Sequence, residues 1–523
     1  MSGRALRLLA AAAILVPLGA CGDAKDTPPP STKSDAAAYA ADGRIDQKPT
    51  STPNVLVVVL SGVRYDLATG RPGEPSAMPH FESFARSAAS FTDTASPAAW
   101  TAPAFASLLT GGMPAYAHNV TGVPGERGDE LIDRMVLLPE VFQAAGYATA
   151  AFTEGGAIAA RRKFAQGFDS YAEDFRLEDG VPRVRAWLDA RPKDRPVFVL
   201  VHADDAAEPF APKSHPAGGS SALRASVDQS LARTAATDGV VDPGDVPTFL
   251  RALCLDPVAS ARIAKEVLPT RLAEAAAIAG SGSVLRGERG DVLEKEVRAR
   301  YVENLRRVDA LLGTLLTEFD GAKLSGESVV VVCSDHGVAL GEARRVPRRF
   351  GSGGSLFEEH VHVPLAIRAP GKLPSRAVPG SCSLLDLFPT LVDVLGLPKP
   401  NDTVGHSLLP LGRQESGPGL PTYGLEFAYT ADADGKIARR RLMSARSARA
   451  KLLFTFEGAS RAWSEQLFDR IADPLESAPL DASGAGSFGG DFEAGVRQVR
   501  ELLAGRRAHL KSIGEIGYAT SDG

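Results

Sequence analysis

From Asn54 onward, short apolar runs alternate with longer amphipathic stretches. Val55–Leu60 (VLVVVL), Thr149–Phe152 (TAAF), Val197–Val201 (VFVLV), Val329–Cys333 (VVVVC) and Leu365–Ile367 lack the apolar–polar alternation of a half-solvated strand. They predict strands buried on both faces. Pro79–Ala89, Leu137–Ala145, Val181–Ala190 and Leu305–Phe319 predict helices between them. Strands alternating with helices imply parallel pairing in a sheet covered on both sides. The expected fold class is therefore α/β, a doubly wound and mostly parallel sheet. Chemistry in such sheets gathers beyond the carboxyl ends of the strands. That singles out Ser61, the segment after Val201, and Ser334 onward.

Residues 213–300 read as a helical insertion, with Gly/Ser-rich joints at Ala217–Ser221 and Gly280–Ser283. Past Leu420, extended segments around Lys451–Phe456 and Glu465–Arg470 precede a helix near Val496–His509. The organisation expected is an α/β domain over 53–412 carrying that insertion, then a small C-terminal α+β subdomain over 420–515.

The N-terminus follows a different pattern. Arg4 and Arg7 precede an apolar core, Leu8 to Val16, and then Leu18-Gly19-Ala20-Cys21. This is the layout of a secretory signal peptide over residues 1–20, too short for a membrane span. Its end resembles a bacterial lipobox, in which small residues admit the signal peptidase and the thiol of Cys21 takes the lipid. A plain signal peptide that happens to contain a Cys is the alternative. Residues 21–52, rich in Pro, Ser, Asp and Lys, read as a lipidated Cys followed by a flexible tether. The partner expected from this end is a membrane, reached through the lipid anchor, and the location is the bacterial cell envelope, facing periplasm or exterior.

Composition narrows the classes. The chain has 523 residues, with 58 basic and 63 acidic side chains and a formal charge of −5. Mild acidity without a Lys/Arg block argues against nucleic acid as a partner. Of the four cysteines, Cys333 ends a Val run and reads as a buried thiol. No CxxC spacing exists, which disfavours a zinc cluster. A Cys254–Cys382 bridge stays open for an oxidising compartment.

Several segments, in order, resemble the sulfatase family of the alkaline-phosphatase superfamily. Leu60-Ser61-Gly62-Val63-Arg64-Tyr65-Asp66 stands at the family's first strand and acidic metal turn. Trp100-Thr101-Ala102-Pro103-Ala104-Phe105 resembles its nucleophile helix, and Ser334-Asp335-His336-Gly337 its second metal turn. Gly354-Ser355-Leu356-Phe357-Glu358-Glu359, Asp386-Leu387-Phe388-Pro389-Thr390 and Leu467-Phe468-Asp469 complete the series. The resemblance implies the alkaline-phosphatase-like sheet and cleavage of sulfate or phosphate esters by a metal held on carboxylates, with cations around the anion. Its nucleophile is a formylglycine made from Cys or Ser, or an unmodified Thr.

Position by position, that equipment is depleted. Ser61-Gly62 replaces the acidic turn, and a neutral hydroxyl is a poor ligand for a hard cation. Thr101 occupies the nucleophile position and yields no formylglycine. Phe105 stands where an Arg or His is expected. Thr153-Glu154-Gly155-Gly156 lacks the family's Lys and His, Ala207 replaces a His, and Ser352-Gly353 lacks a cation. Asp335 and His336 remain, read as the remnant of a metal site that would bind a Ca- or Zn-type divalent ion only weakly. Asp204 and Glu208 have the spacing of a second-metal pair in the phosphodiesterase branch, with Glu in place of His; the alternative is a solvated loop. His360 and His362 are expected to alternate along an extended segment and so to share one side. His118 is read as orienting a loop.

Two functions compete. One is a non-hydrolytic binding or assembly module at the envelope, taking an anionic ligand or a protein partner. The other is a divergent metal-dependent sulfuric or phosphoric ester hydrolase using Thr101. The losses at Ser61, Phe105 and Ser352 favour the first, since a fold alone does not confer its usual chemistry.

Overall fold

The structure is a computed structural model. It describes residues 49–512 except 72, 114–129, 132–134, 208–218, 238–241, 243–244, 246–247, 250–290, 323, 325–326, 341–349, 398, 401–402, 416–418, 432–436, 458–461 and 482–489. Among the described residues fourteen strands follow in chain order: β1 (Asn54–Leu60), β2 (Ala89–Ala95), β3 (Ala148–Phe152), β4 (Ser170–Ala172), β5 (Val197–Ala203), β6 (Ser328–Cys333), β7 (Ala339–Leu340), β8 (Phe350–Gly351), β9 (Leu365–Arg368), β10 (Arg376–Ser383), β11 (Thr422–Ala431), β12 (Ile437–Arg446), β13 (Ala450–Glu457) and β14 (Ala462–Asp469). The helices that matter below are α1 (Pro79–Arg86), α2 (Thr101–Thr110), α3 (Leu138–Ala144), α4 (Leu177–Ala190), α5 (Gly219–Ala236), α6 (Asp291–Asp320), α7 (Glu358–Val361), α8 (Leu387–Val394) and α9 (Gly490–Ser512).

The large sheet has eight strands in the order β10-β2-β9-β6-β1-β5-β3-β4. All neighbours pair in parallel except those involving β9, which runs against both β2 and β6. Each apolar run of the sequence is a strand of this sheet. Those in the middle are buried along their whole length, as at β1 and β5. Alternate β1 residues go to opposite faces: Leu56 and Val58 pack with Leu305, Val308 and Leu312 of α6, whereas Val55, Val57 and Val59 pack with Phe105 of α2 and Phe142 of α3. Fully burying each such Val or Leu is worth roughly 1.5–3 kcal/mol, so the central strands set the register of the whole layer.

The sequence pattern misses β2, β4 and β10. These strands carry Ser, Thr, Asp, Pro or Arg among their apolar residues and have no continuous apolar run. For the same reason Ala89, expected to end a helix, begins β2, and α1 stops at Arg86. Helix α6 is longer than expected, starting at Asp291 within the stretch read as an insertion.

A second, antiparallel sheet, β11-β12-β13-β14, forms the C-terminal subdomain with α9. Its inner face packs Tyr423, Leu425, Met443, Leu452 and Leu467 against Phe492, Val496 and Val499, and reaches Met113 and Leu385 of the larger body. Cys333 and Cys382 are buried free thiols, so Cys382 is not bridged; Cys254 lies outside the described residues. Cys21 and all but the last residues of the tether lie outside them too. Among the described residues no helix is long and apolar enough to cross a membrane.

Candidate active site

Four adjacent strands, β6-β1-β5-β3, carry the site at or beyond their carboxyl ends. β6 runs into Asp335 and His336, β1 into Ser61, and β3 into Glu154, while His202 lies within the last turn of the β5 ladder, paired with Val59. The Ser61 N–H donates to the Ala203 carbonyl at 2.8 Å, prolonging the ladder by one residue. Gly62, with φ +81°, then turns the chain away from the strand, a backbone state that glycine adopts without penalty. Thr101 reaches the same point from the other side as the first residue of α2. Trp100 before it is extended, and Pro103 sits in the first turn, where its missing N–H is not needed.

The groups close on one another. Ser61 Oγ donates to Asp335 Oδ2 at 3.1 Å and lies 3.2 Å from both Thr101 Oγ1 and His336 Nε2. Thr101 Oγ1 is itself 3.2 Å from His336 Nε2. His336 Nδ1 is 2.9 Å from the Gly337 carbonyl. A carbonyl only accepts, so Nδ1 carries a hydrogen, and Nε2 can accept from a hydroxyl when the ring is neutral. The turn is locked from beneath: Ser334 Oγ donates to the His336 carbonyl at 2.6 Å and accepts from Val63 N–H at 3.0 Å. A Cβ on Gly337 would lie 2.1 Å from the Glu359 carbonyl oxygen, so the turn tolerates no side chain there.

Beneath this cluster His202 bridges two carboxylates, with Nδ1 2.5 Å from Glu154 Oε2 and Nε2 3.2 Å from Asp335 Oδ2. Its side chain is wholly buried, and Phe105 packs edge-on to the ring with centroids 4.9 Å apart. Burial works against a charged imidazole, but Glu154 and Asp335 outweigh it and raise His202 to about 10. Burial alone would raise Asp335; His336 and His202 overcome it and hold the carboxyl at about 2.

The structure thus brings Thr101, Asp335 and His336 together with Ser61. Asp204 stands apart from their hydrogen-bonded cluster, 3.7 Å from Arg176, and burial followed by the nearby Glu154 charge lifts it to about 6. Glu208 and His118 lie outside the described residues. The expected alternation of His360 and His362 is overturned, because Glu358–Val361 is a turn of helix. His360 Nε2 meets the Gly351 carbonyl at 3.1 Å, while His362 meets the Thr92 carbonyl at 3.1 Å and stacks on Tyr65. Sequence reasoning missed His202 and Glu154 as partners. The available signal was that His202 directly follows one apolar run and Glu154 stands two residues past another, at the ends of strands β5 and β3 that pair as neighbours.

The family implies a divalent metal, and the donor chemistry can be tested against one. A hard dication prefers several carboxylate oxygens. This cluster offers one carboxylate, one imidazole and two neutral hydroxyls. Both Asp335 oxygens already accept protein hydrogens, from Ser61 and His202 on Oδ2 and from the His336 N–H at 2.8 Å on Oδ1. Among the described residues no group of three or more His, Cys, Asp or Glu side chains is arranged to hold a metal ion. The residues do not fit the group.

The sulfatase family profile matches residues 53–397. Rat arylsulfatase K is 34% identical over 122 residues, covering 23% of this chain and 21% of the rat protein. The chain thus spans about a fifth of that relative's length. A protein solved in complex with its substrate D-glucosamine-2-N,6-O-disulfate has a TM-score of 0.59 at 17% identity, over 90% of this chain and 100% of that one. The phosphonate monoester hydrolase of Agrobacterium radiobacter has a TM-score of 0.57 at 20% identity, over 88% of this chain and 96% of that one. With the family profile spanning the whole large sheet, its ordered strands and the pocket at their carboxyl ends, this chain belongs to the sulfatase family.

Proposed function

We propose that this sulfatase-fold protein is a non-hydrolytic binding or assembly module, held at the bacterial cell envelope through a lipid on Cys21. The observation that carries the reading is the closed cluster of Ser61, Thr101, Asp335 and His336, whose polar atoms satisfy one another within 3.1–3.2 Å. Sulfate or phosphate ester cleavage needs positive charge aimed at the transferred group. The apolar Phe105 occupies the position where the family resemblance expects a cation, and it is buried against Phe164 and His202. Glu154 and Asp335 together carry more negative charge than the single imidazole of His202 between them offsets, which would repel the anion.

A second reading draws on one contact. The Thr101 hydroxyl lies 3.2 Å from the accepting nitrogen of His336, the relation of a nucleophile to its base. It would make the protein a divergent ester hydrolase using Thr101. Wild type and Asp335→Asn, assayed on aryl sulfates, phosphate monoesters and phosphodiesters with added divalent metal, separate the two. Equal background rates are expected. Clear wild-type turnover lost in Asp335→Asn would sink the module reading and promote the hydrolase. For the anchor, Cys21→Ala should move the protein from washed membranes to the soluble fraction, and retention there would disprove it.

A further inference from the structure

A sulfatase-like pocket without a fitting metal site still has to neutralise the carboxylate buried at its centre. Asp335 has no exposed side-chain surface, and an unpaired buried charge is strongly destabilising. Its neutralising partner is visible. His202 Nε2 faces Asp335 Oδ2 at 3.2 Å, and the other ring nitrogen faces Glu154 Oε2 at 2.5 Å. Carboxylate oxygens accept and do not donate when ionised, so a ring wedged between two of them carries hydrogen on both nitrogens and is a cation. Phe105, standing edge-on over this ring, shields it from water.

We propose that His202 stands in for the family's metal: a protein-borne cation, fixed between Glu154 and Asp335, assembles the pocket without any divalent ion. The relation is one of exchange. With the imidazole in place, Asp335 Oδ2 is taken by Ser61 and His202 and Oδ1 already accepts the His336 N–H, so the carboxylate has little left to offer a metal. With the imidazole removed, Asp335 and Glu154 face each other across the space it filled, beside His336. Two carboxylates and an imidazole form the kind of donor set that divalent cations take. Wild type should therefore be indifferent to metal, and a variant lacking the ring should become responsive to it.

This inference does not depend on the module reading. A metal-free pocket that hydrolysed esters would overturn the proposed function and leave His202's role standing. An inert protein that held a metal would do the reverse.

The test uses the full chain. Wild type, His202→Ala and His202→Gln are stripped with EDTA, dialysed, and titrated separately with Ca²⁺, Mg²⁺, Mn²⁺ and Zn²⁺. Calorimetry reads binding and thermal unfolding reads stability. Wild type should bind none of them with defined stoichiometry, and its midpoint should stay within about 1 °C with metal or chelator, since a ligand that does not bind the native state does not stabilise it. His202→Ala should unfold at lower temperature and recover several degrees with at least one of the ions, and His202→Gln, still able to donate to one carboxylate, should lie between. Stoichiometric metal in the wild type, or a midpoint that falls on EDTA treatment, overturns the proposal. So does a folded His202→Ala that loses no stability or gains none from metal. Should His202→Ala not fold, the wild-type titrations and His202→Gln still decide it.

Discussion

At the carboxyl edge of the large sheet, one imidazole stands between Glu154 and Asp335. At the seam with the C-terminal sheet, three carboxylates meet three cations. Asp93 of β2, Glu358 at the start of α7 and Glu476 beyond β14 face Arg446 of β12, Lys451 of β13 and Arg470 after β14. Arg446 lies 2.5 Å from Asp93 and 3.0 Å from Glu358, Lys451 is 2.9 Å from both Glu358 and Glu476, and Arg470 is 2.6 Å from Asp93. These side chains are buried or nearly so in both clusters. The difference lies in what kind of cation does the balancing. Arg stays charged wherever it sits near neutral pH, and the buried Lys451 has two carboxylates against its ammonium, so the seam is balanced largely by composition. The pocket is balanced only because its acids keep an imidazole protonated. The first arrangement joins two sheets of different topology; the second occupies the place where the family does its chemistry.

The largest effect should come from the seam. Glu358 accepts from Arg446, Lys451 and Arg470 together, and these cations hold its carboxyl well below the usual range against the opposing push of burial. Glu358→Gln removes the charge that all of them share. Breaking a buried ion network by deleting one partner costs roughly 3–5 kcal/mol, and urea denaturation should show a loss of that size. A loss below about 1 kcal/mol, the range of exposed pairs, would mean that the seam is no more than a set of surface contacts.

Much of this layout was legible in the chain, and the reasons differ by region. The central strands announce themselves because burial on both faces demands an unbroken apolar run, as in Val55–Leu60. Edge strands such as Arg376–Ser383 carry no such demand and hide among loops. Thr101, Asp335 and His336 could be placed because they follow apolar elements whose ends must meet in a doubly wound sheet. The seam could not be read. Asp93, Glu358 and Arg446 are hundreds of residues apart for the most distant pair, and single charges inside mixed segments look solvated until tertiary packing buries them. His202 and Glu154 fall between these cases: their positions were visible, but a lone buried His signals nothing until its two carboxylate neighbours are known. The His360–His362 expectation failed because local helix overrode the period-two pattern.

The next effect, in size, is one of pH, and it separates the clusters by sign. His202 is raised from 6.5 to about 10 on folding. Its contribution is complete below about pH 6.5 and is lost as pH climbs through about 10. At the seam His362 is lowered from 6.5 to about 4, by burial first and then by Arg446. Its stabilising effect is present above about pH 6.5 and is lost as pH falls through about 4. Asp93, also depressed by Arg446 and Arg470 against burial, adds to this acid limb, and so does Asp335 in the pocket. Stability measured against pH should therefore fall on both sides. The part of the alkaline limb between about pH 6.5 and 9, below the range where the buried Cys333 and Cys382 thiols begin to cost stability, belongs to the pocket. His202→Gln should flatten the limb between pH 6.5 and 10, weaken the share of the acid limb that Asp335 supplies, and leave the seam's share in place. The neutral amide should lower stability near pH 7 by roughly 1.5–3 kcal/mol, the scale of hydrogen bonds to charged groups. An alkaline limb unchanged in His202→Gln would show that the imidazole is not the balancing charge.

The smallest effect should come from Thr101→Val, which removes a hydroxyl from the pocket without touching an ion pair. Thr101 Oγ1 meets Ser61 Oγ and His336 Nε2, each at 3.2 Å. The two survivors already lie 3.2 Å from each other, and Ser61 also reaches Asp335. Losing Thr101 therefore leaves His336 Nε2 near a second hydroxyl, although Ser61 must divide its single hydrogen between the imidazole and the carboxylate. The substituted methyl fills nearly the same volume beneath α2, so no cavity term adds to the loss. The expected cost is about 0.5–1.5 kcal/mol, well below that of Glu358→Gln. If the pocket only holds itself together, Thr101→Val should match wild type at background rates on sulfate and phosphate esters. A wild-type phosphodiester rate abolished by this nearly isosteric change, in a protein of almost unchanged stability, would identify Thr101 as a working nucleophile with His336 as its base.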